Sequence, residues 1–314
     1  MELGKRDVEK IVEEQVEAFE EALLERVALV EPTPRTILLA LDHSNQDSMT
    51  TSLGAEIGRR YNAVIAVTGG FPDEMEEEAR SYLSEASHRL REEGVDARTL
   101  WAPEKKSFDK ILWAERESGA DILILPAPYF RDIETLGEDS IGTNLDVILA
   151  RSPIPVLVIR NPGSEPEEVL DRIHLAIFDH TPLSQTSAEW AILLAGGGRM
   201  DVLALVEEEF VEMMEEALAS EGITEEDLEE GLVRSLVPLV SAVLRRCDDV
   251  DIPCDVDYVT ADLVDTITKR AGRRRGMIVL RGYEARDRPG EKVAREVILR
   301  SRVPVMVVKE PTRS

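Results

Sequence analysis

The 314-residue chain has two cysteines, Cys247 and Cys254, and four scattered histidines. That is too few for a disulfide scaffold or for a structural zinc site of known spacing. The two thiols are read as reduced. Aromatic residues make up 4% of a chain that is 43% hydrophobic, so aliphatic side chains must do most of the packing. Positive charge is also short: 37 Lys and Arg face 63 Asp and Glu, a formal net charge of −26. Such a chain repels nucleic-acid phosphates and anionic membranes at long range, so neither is an expected partner. Long apolar runs are missing too. No stretch approaches the roughly 18 apolar residues of a transmembrane helix. The opening "MELGKRDVEKIVEEQVEAFEEALLERV" is charged throughout and lacks the apolar centre of a secretory signal. The expectation is a soluble, cytoplasmic protein.

What the chain does contain is a repeat. "ILLALDHSNQDSMTTSLGA", from Ile37, has the layout of "HLAIFDHTPLSQTSAEWA", from His174, so that Asp42-His43-Ser44 becomes Asp179-His180-Thr181. Later, "SPIPVLVIR" from Ser152 recurs as "SRVPVMVVK" from Ser301. Two landmarks in the same order argue for an internal duplication.

Short apolar runs alternate with helical periodicity in both halves. Strands are expected at residues 37–41, 63–67, 95–100, 122–125 and 155–159, then at 173–177, 202–206, 255–259, 277–280 and 305–308. This alternation predicts an α/β fold of two tandem open parallel five-stranded sheets with helices on both faces. The expected organisation is an N-terminal amphipathic helix over 1–34, a first domain over 35–160, a linker over 161–171, and a second domain over 172–314. The second domain carries a helical insertion at about 207–247, in which Thr224 and Asp227 form a capping box. The leader has a helical apolar stripe at Val8, Ile11, Val12, Val16, Phe19 and Leu23, suited to docking.

Asp42 ends an apolar strand. In an open parallel sheet, ligands bind beyond the carboxyl ends of the strands where the strand order reverses, and a carboxylate there can accept hydrogen bonds from a ligand amine. An Asx turn or helix cap uses the same residue types, and both readings stay open at this point. The cluster "KRAGRRRG" from Lys269 is read as a solvated cap at a helix end, where cations meet the dipole. No catalytic triad or metal site is expected.

Each half resembles a universal stress protein domain, and the chain resembles a tandem of two. The residues that carry the resemblance are the strand ending in Asp42 or Asp179, "SYLSEASHRLREEGVDART", "ILWAERESGADILIL" and "SPIPVLVIR". The resemblance implies the Rossmann-like, adenine-nucleotide alpha-hydrolase-like fold. It implies that Asp42 contacts adenine and that a glycine loop after the fourth strand holds phosphates and ribose. Here that loop departs from the pattern. "PAPYFRDIETLGEDSIGTN" has Pro126 and Tyr129 at the first two glycine positions and keeps only Gly142-Thr143. Proline donates no N–H, and tyrosine fills space. The second half has Gly282 and Gly290 at the wrong spacing, with Arg281, Arg286 and Lys292 to attract an anion and Glu284 and Glu291 to oppose it.

The expected function is therefore a non-catalytic universal-stress-like protein acting by ligand binding or protein association in the stress response. The alternatives are a true ATP-binding, slowly hydrolysing member and a scaffold without ligand. Any ATP site would be weak and would lie in the first half, at Asp42, Gly142 and Thr143. The resemblance also puts the last strand of each half at a sheet edge. Both are apolar on both faces, so self-association or antiparallel pairing of the two halves is expected.

Overall fold

The structure is a computed structural model that describes residues 27–102, 107–127, 129, 141–160, 165–218, 224–282 and 291–309. The apolar stripe from Val8 to Leu23 and the loop positions Arg131, Glu284, Arg286 and Gly290 lie outside these residues, as do the side chains of Glu291 and Lys292.

The first half supplies strands β1 (Thr36–Leu41), β2 (Val64–Gly69), β3 (Ala97–Thr99), β4 (Ile122–Pro126) and β5 (Val156–Ile159). Between them lie helices α1 (Asp47–Tyr61), α2 (Glu76–Glu92), α3 (Ser107–Ser118) and α4 (Thr143–Arg151). A short helix α5 (Pro166–Leu170) leads to β6 (Arg172–Ile177), α6 (Pro182–Leu194) and β7 (Arg199–Glu207). The extra length of the second half forms α7 (Glu208–Leu218) and α8 (Glu225–Asp249). Then follow β8 (Cys254–Ala261), α9 (Leu263–Arg274), β9 (Met277–Arg281), α10 (Glu291–Arg300) and β10 (Val305–Val308). Thr224 opens α8 with the expected capping box, its side chain and that of Asp227 each accepting from the other's end.

The ten strands form one sheet in the order β3-β2-β1-β4-β5-β10-β9-β6-β7-β8. All neighbours are parallel except β5 and β10, which pair antiparallel with Val305 opposite Val158 and Val307 opposite Val156. The two five-stranded blocks are thus joined edge to edge inside one chain, as the two apolar last strands led us to expect. Pairing these edges removes two rows of open backbone donors and acceptors.

The apolar runs are continuous because the sheet is covered on both faces. Alternate residues go to opposite layers: Ile37, Leu39 and Leu41 of β1 belong to one core, Leu38 and Ala40 to the other. Both layers run unbroken across the β5–β10 junction, with Leu157 and Met306 on one face and Val156, Val158, Val305 and Val307 on the other. Helices add cross-links between the halves. The Tyr61 hydroxyl donates to the Leu193 carbonyl, and Arg295 lies 3.3 Å from Asp146. The start of the described chain also crosses to the second half, where Val30 N donates to Glu189 at 2.8 Å and Glu31 pairs with Arg246 at 2.9 Å.

Candidate functional site

The turn that follows β1 is held by its own side chains. Asp42 is 9% exposed, and its Oδ1 accepts from the Ser44 amide at 3.1 Å, an Asx turn. Asp47, the first residue of α1, reaches back over the turn. Its Oδ2 accepts from the amides of Asp42 at 3.2 Å and His43 at 2.7 Å, and from the Tyr82 hydroxyl at 2.7 Å. His43 has φ 67°, in the left-handed region that His tolerates better than most residues. Its ring packs 4.5 Å from that of Tyr82. Gln46 Nε2 donates to the Ala127 carbonyl at 2.8 Å, tying the start of α1 to the end of β4.

Strand order reverses between β1 and β4, since β2 and β3 extend one way and β4 and β5 the other. This is where an open parallel sheet ordinarily takes its ligand. Tyr129, just past β4, sits there with 1% exposure. Its hydroxyl donates to Leu41 O at the end of β1 and accepts from Gly70 N just beyond β2, both at 2.9 Å. The ring and hydroxyl together close the strand ends from within. Gly70 is required by the close approach: a Cβ there would lie 2.9 Å from Ser107 O and 3.0 Å from the Tyr129 ring.

Gly142 precedes α4 with φ 86°, a conformation suited to glycine, and Thr143 is the first helical residue. A crossover helix runs antiparallel to its strands, so the α4 N-terminus and Asp42 share the carboxyl edge of the sheet. The segment 130–140 that joins Tyr129 to this helix start lies outside the described residues.

The second half closes its strand end differently. Asp179 Oδ1 accepts from Thr181 N at 3.3 Å and Thr181 Oγ1 at 2.9 Å, and also from the Ser184 hydroxyl. Arg281, the last residue of β9, brings Nε to 2.6 Å from Asp179 Oδ2. The N–H is not aligned on the oxygen, so this is a charge contact rather than a directed hydrogen bond. The guanidinium also lies 4.8 Å from the Phe178 ring. Arg281, which the sequence suggested could attract an anion, spends its charge inside the chain. The "KRAGRRRG" cluster is engaged in the same way: Lys269 pairs with Asp265, Arg270 with Asp257, Arg274 with Asp201 and Arg275 with Glu168.

Sequence reasoning missed Asp47, whose carboxyl is raised to about 7. Burial is the main cause and the Asp42 charge the second, against hydrogen bonds from Tyr82 and the two turn amides. A raised carboxyl holds a proton in the folded state between about pH 4 and pH 7, so stability falls as pH climbs through that window and levels off above it. Asp47→Asn keeps an acceptor and removes the titration. We expect this variant to match the wild type at pH 4 and to exceed it by about 1–4 kcal/mol at pH 8. Urea unfolding at both pH values measures this, and an unchanged pH slope would contradict it. Among the described residues, no group of three or more His, Cys, Asp or Glu side chains could hold a metal ion, and no helix is long and apolar enough to cross a membrane.

Neither a protein-family model nor a curated relative matches the chain. Solved structures do. A universal stress protein from Archaeoglobus fulgidus DSM 4304 is 18% identical, with a TM-score of 0.63 over 88% of this chain and 98% of that one. A putative universal stress protein from Pseudomonas aeruginosa UCBPP-PA14 is 14% identical, with a TM-score of 0.61 over 88% and 94%. The cytoplasmic domain of a prokaryotic cation chloride cotransporter also aligns, at 12% identity and a TM-score of 0.51 over 89% and 97%. One architecture thus serves proteins of different roles, and function must be argued from the site. Two Rossmann-like halves joined through their last strands, matched over almost the whole length of both stress proteins, give this chain the fold of a tandem universal stress protein.

Proposed function

We propose that the protein is a non-catalytic member of the tandem universal stress type that acts through protein association rather than nucleotide turnover. The observation that carries this reading is Tyr129, whose hydroxyl bridges Leu41 O and Gly70 N where the strand order reverses. A ligand entering that crevice would have to displace a fully packed ring and two hydrogen bonds. The engaged Asp179–Arg281 pair supports the same reading for the second half. The organisation into domains over 35–160 and 172–314 belongs to this proposal, as do a role in the stress response and a cytoplasmic location.

A second reading, weak binding of an adenine nucleotide in the first half, draws on Gly142 and Thr143, which open α4 on the same sheet edge as Asp42. Lost charge-assisted hydrogen bonds to phosphate cost roughly 1.5–3 kcal/mol each. Two such losses carry a 1 μM site to somewhere between about 0.2 and 25 mM. Calorimetric titration of the purified protein with ATP, ADP and AMP, with a check for copurified nucleotide and released phosphate, separates the readings. No saturable heat is the expected result. Saturable micromolar binding would favour the second reading, above all if Asp42→Asn abolished it. Asparagine keeps the Asx-turn acceptor for Ser44, so such a loss would report ligand contact and not a broken turn.

A further inference from the structure

Cys247 and Cys254 are the chain's only thiols, and the fold brings them together. Cys247 lies in the last turn of α8 and is fully buried. Cys254 opens β8 and is half-buried. The connection between them reverses tightly: Ile252 N donates to Cys247 O at 2.9 Å and Val250 N to the same oxygen at 3.2 Å. The start of β8 is thereby laid against the end of α8. Both side chains face the same core layer, Cys247 inside it and Cys254 packed on its margin. The interaction between the two thiols, followed by burial, pushes the Cys247 thiol up, and the same interaction lowers the thiol of Cys254. Three acidic groups lie around the pair: Asp255 is matched by Arg199 at 2.6 Å and Asp201 by Arg172 and Arg274, and the third is Asp248.

We propose that these residues form a peroxide-oxidisable dithiol, in which the partly exposed Cys254 reacts first and the buried Cys247 resolves it to an intrachain disulfide. In the first step the Cys254 thiolate attacks one oxygen of a hydroperoxide. The O–O bond breaks, Cys254 becomes a sulfenic acid, and the other oxygen leaves as water or an alcohol after taking up a proton. In the second step the Cys247 sulfur attacks the Cys254 sulfur. The S–O bond breaks, and hydroxide leaves with the Cys247 proton as water. Two thiols are oxidised and one peroxide is reduced. The chain's net charge of −26 repels anionic oxidants such as glutathione disulfide, whereas a neutral peroxide is indifferent to it. The disulfide pins the C-terminal end of α8 to the first residue of the edge strand β8. This inference is independent of the nucleotide question.

The test uses the full-length protein, stoichiometric hydrogen peroxide and peptide mass mapping, with circular dichroism to confirm that each variant is folded. The wild type should lose both free thiols to one intrachain cross-link, restored by dithiothreitol. Cys247→Ser should stop at a Cys254 sulfenic acid that dimedone traps, and Cys254→Ser should leave Cys247 unreacted. If Cys247→Ser does not fold, Cys247→Ala replaces it. A cross-link between chains would overturn the proposal, as would Cys254 over-oxidation with Cys247 untouched in the wild type, or no reaction at all. Equal reaction with glutathione disulfide would overturn the assignment of a neutral peroxide as the oxidant.

Discussion

Tyr129→Ala lowers the unfolding free energy by about 3–5 kcal/mol, the range for deleting a buried aromatic side chain. Tyr129 is 1% exposed, and its ring belongs to the core layer that holds Leu38, Leu123 and Leu125. Burial holds its hydroxyl well above the ordinary tyrosine range, so it stays neutral and can donate to Leu41 O while accepting from Gly70 N. Tyr129→Phe separates the two contributions. It keeps the ring and deletes the bridge, leaving the Gly70 amide without this acceptor, at a cost of about 1–3 kcal/mol. Urea unfolding of both variants measures these terms. If Tyr129→Ala unfolds at the same urea concentration as the wild type, the ring does not close the strand ends, and the argument for an internally filled crevice fails with it.

Asp201→Ala costs a similar amount, about 3–5 kcal/mol, by a different route. Asp201 on β7 is 4% exposed and gathers three cationic or donor groups. Arg172 Nη1 lies at 2.8 Å, Arg274 Nη1 at 3.1 Å and His174 Nδ1 at 3.2 Å. His174 is itself buried, and its other ring nitrogen donates to Arg275 O at 2.7 Å. Removing the carboxylate leaves the buried His174 and the partly buried Arg172 without their counter-charge, while the exposed Arg274 turns to water, and breaking a buried pair from one side is the expensive case. Burial by itself would raise the Asp201 carboxyl. The hydrogen bonds and charges of His174 and Arg172 overrule it and hold the group well below the usual carboxylate range. A depressed carboxyl contributes stability that is complete above its unfolded value, near pH 4, and is lost as pH falls toward the folded value. The wild type should therefore lose stability on acidification below about pH 4 more steeply than Asp201→Asn. Parallel acid limbs in the two proteins would show that the cluster does not hold Asp201 in its ionised form.

The two effects have a common origin in topology. Tyr129 reaches Leu41 because β4 lies beside β1, and Asp201 reaches Arg172 and His174 because β7 lies beside β6. Neither partner is near in sequence. The second half uses a third such contact, Asp179 with Arg281, across the neighbours β6 and β9. Each half thus closes its strand end with a different residue type, although the two turns look alike as sequence.

Much of the architecture was legible in the chain itself. Apolar runs such as "ILLAL" marked strands buried on both faces, since a sheet covered by helices on each side needs apolar residues at every position. The repeated Asp-His-Ser and Asp-His-Thr turns marked the duplication, and the paired "PVLVI" and "PVMVV" strands marked the edge that the two halves share. Thr224 and Asp227 marked a helix start because a capping box is a contact between residues three apart. These signals are local: they report burial and backbone direction, which periodicity and short-range hydrogen bonds encode. Tertiary structure alone decided what the strand ends do. Asp42 carried both a ligand-contact and an Asx-turn reading in the sequence, and the structure adds the turn itself, with Asp47 and Tyr82 closing over it. Tyr129 read only as a bulky residue in a glycine position until sheet order put its hydroxyl between β1 and β2. A side chain's partner depends on which strands become neighbours, and that order is set by packing of the whole sheet, far beyond the range over which periodicity carries information.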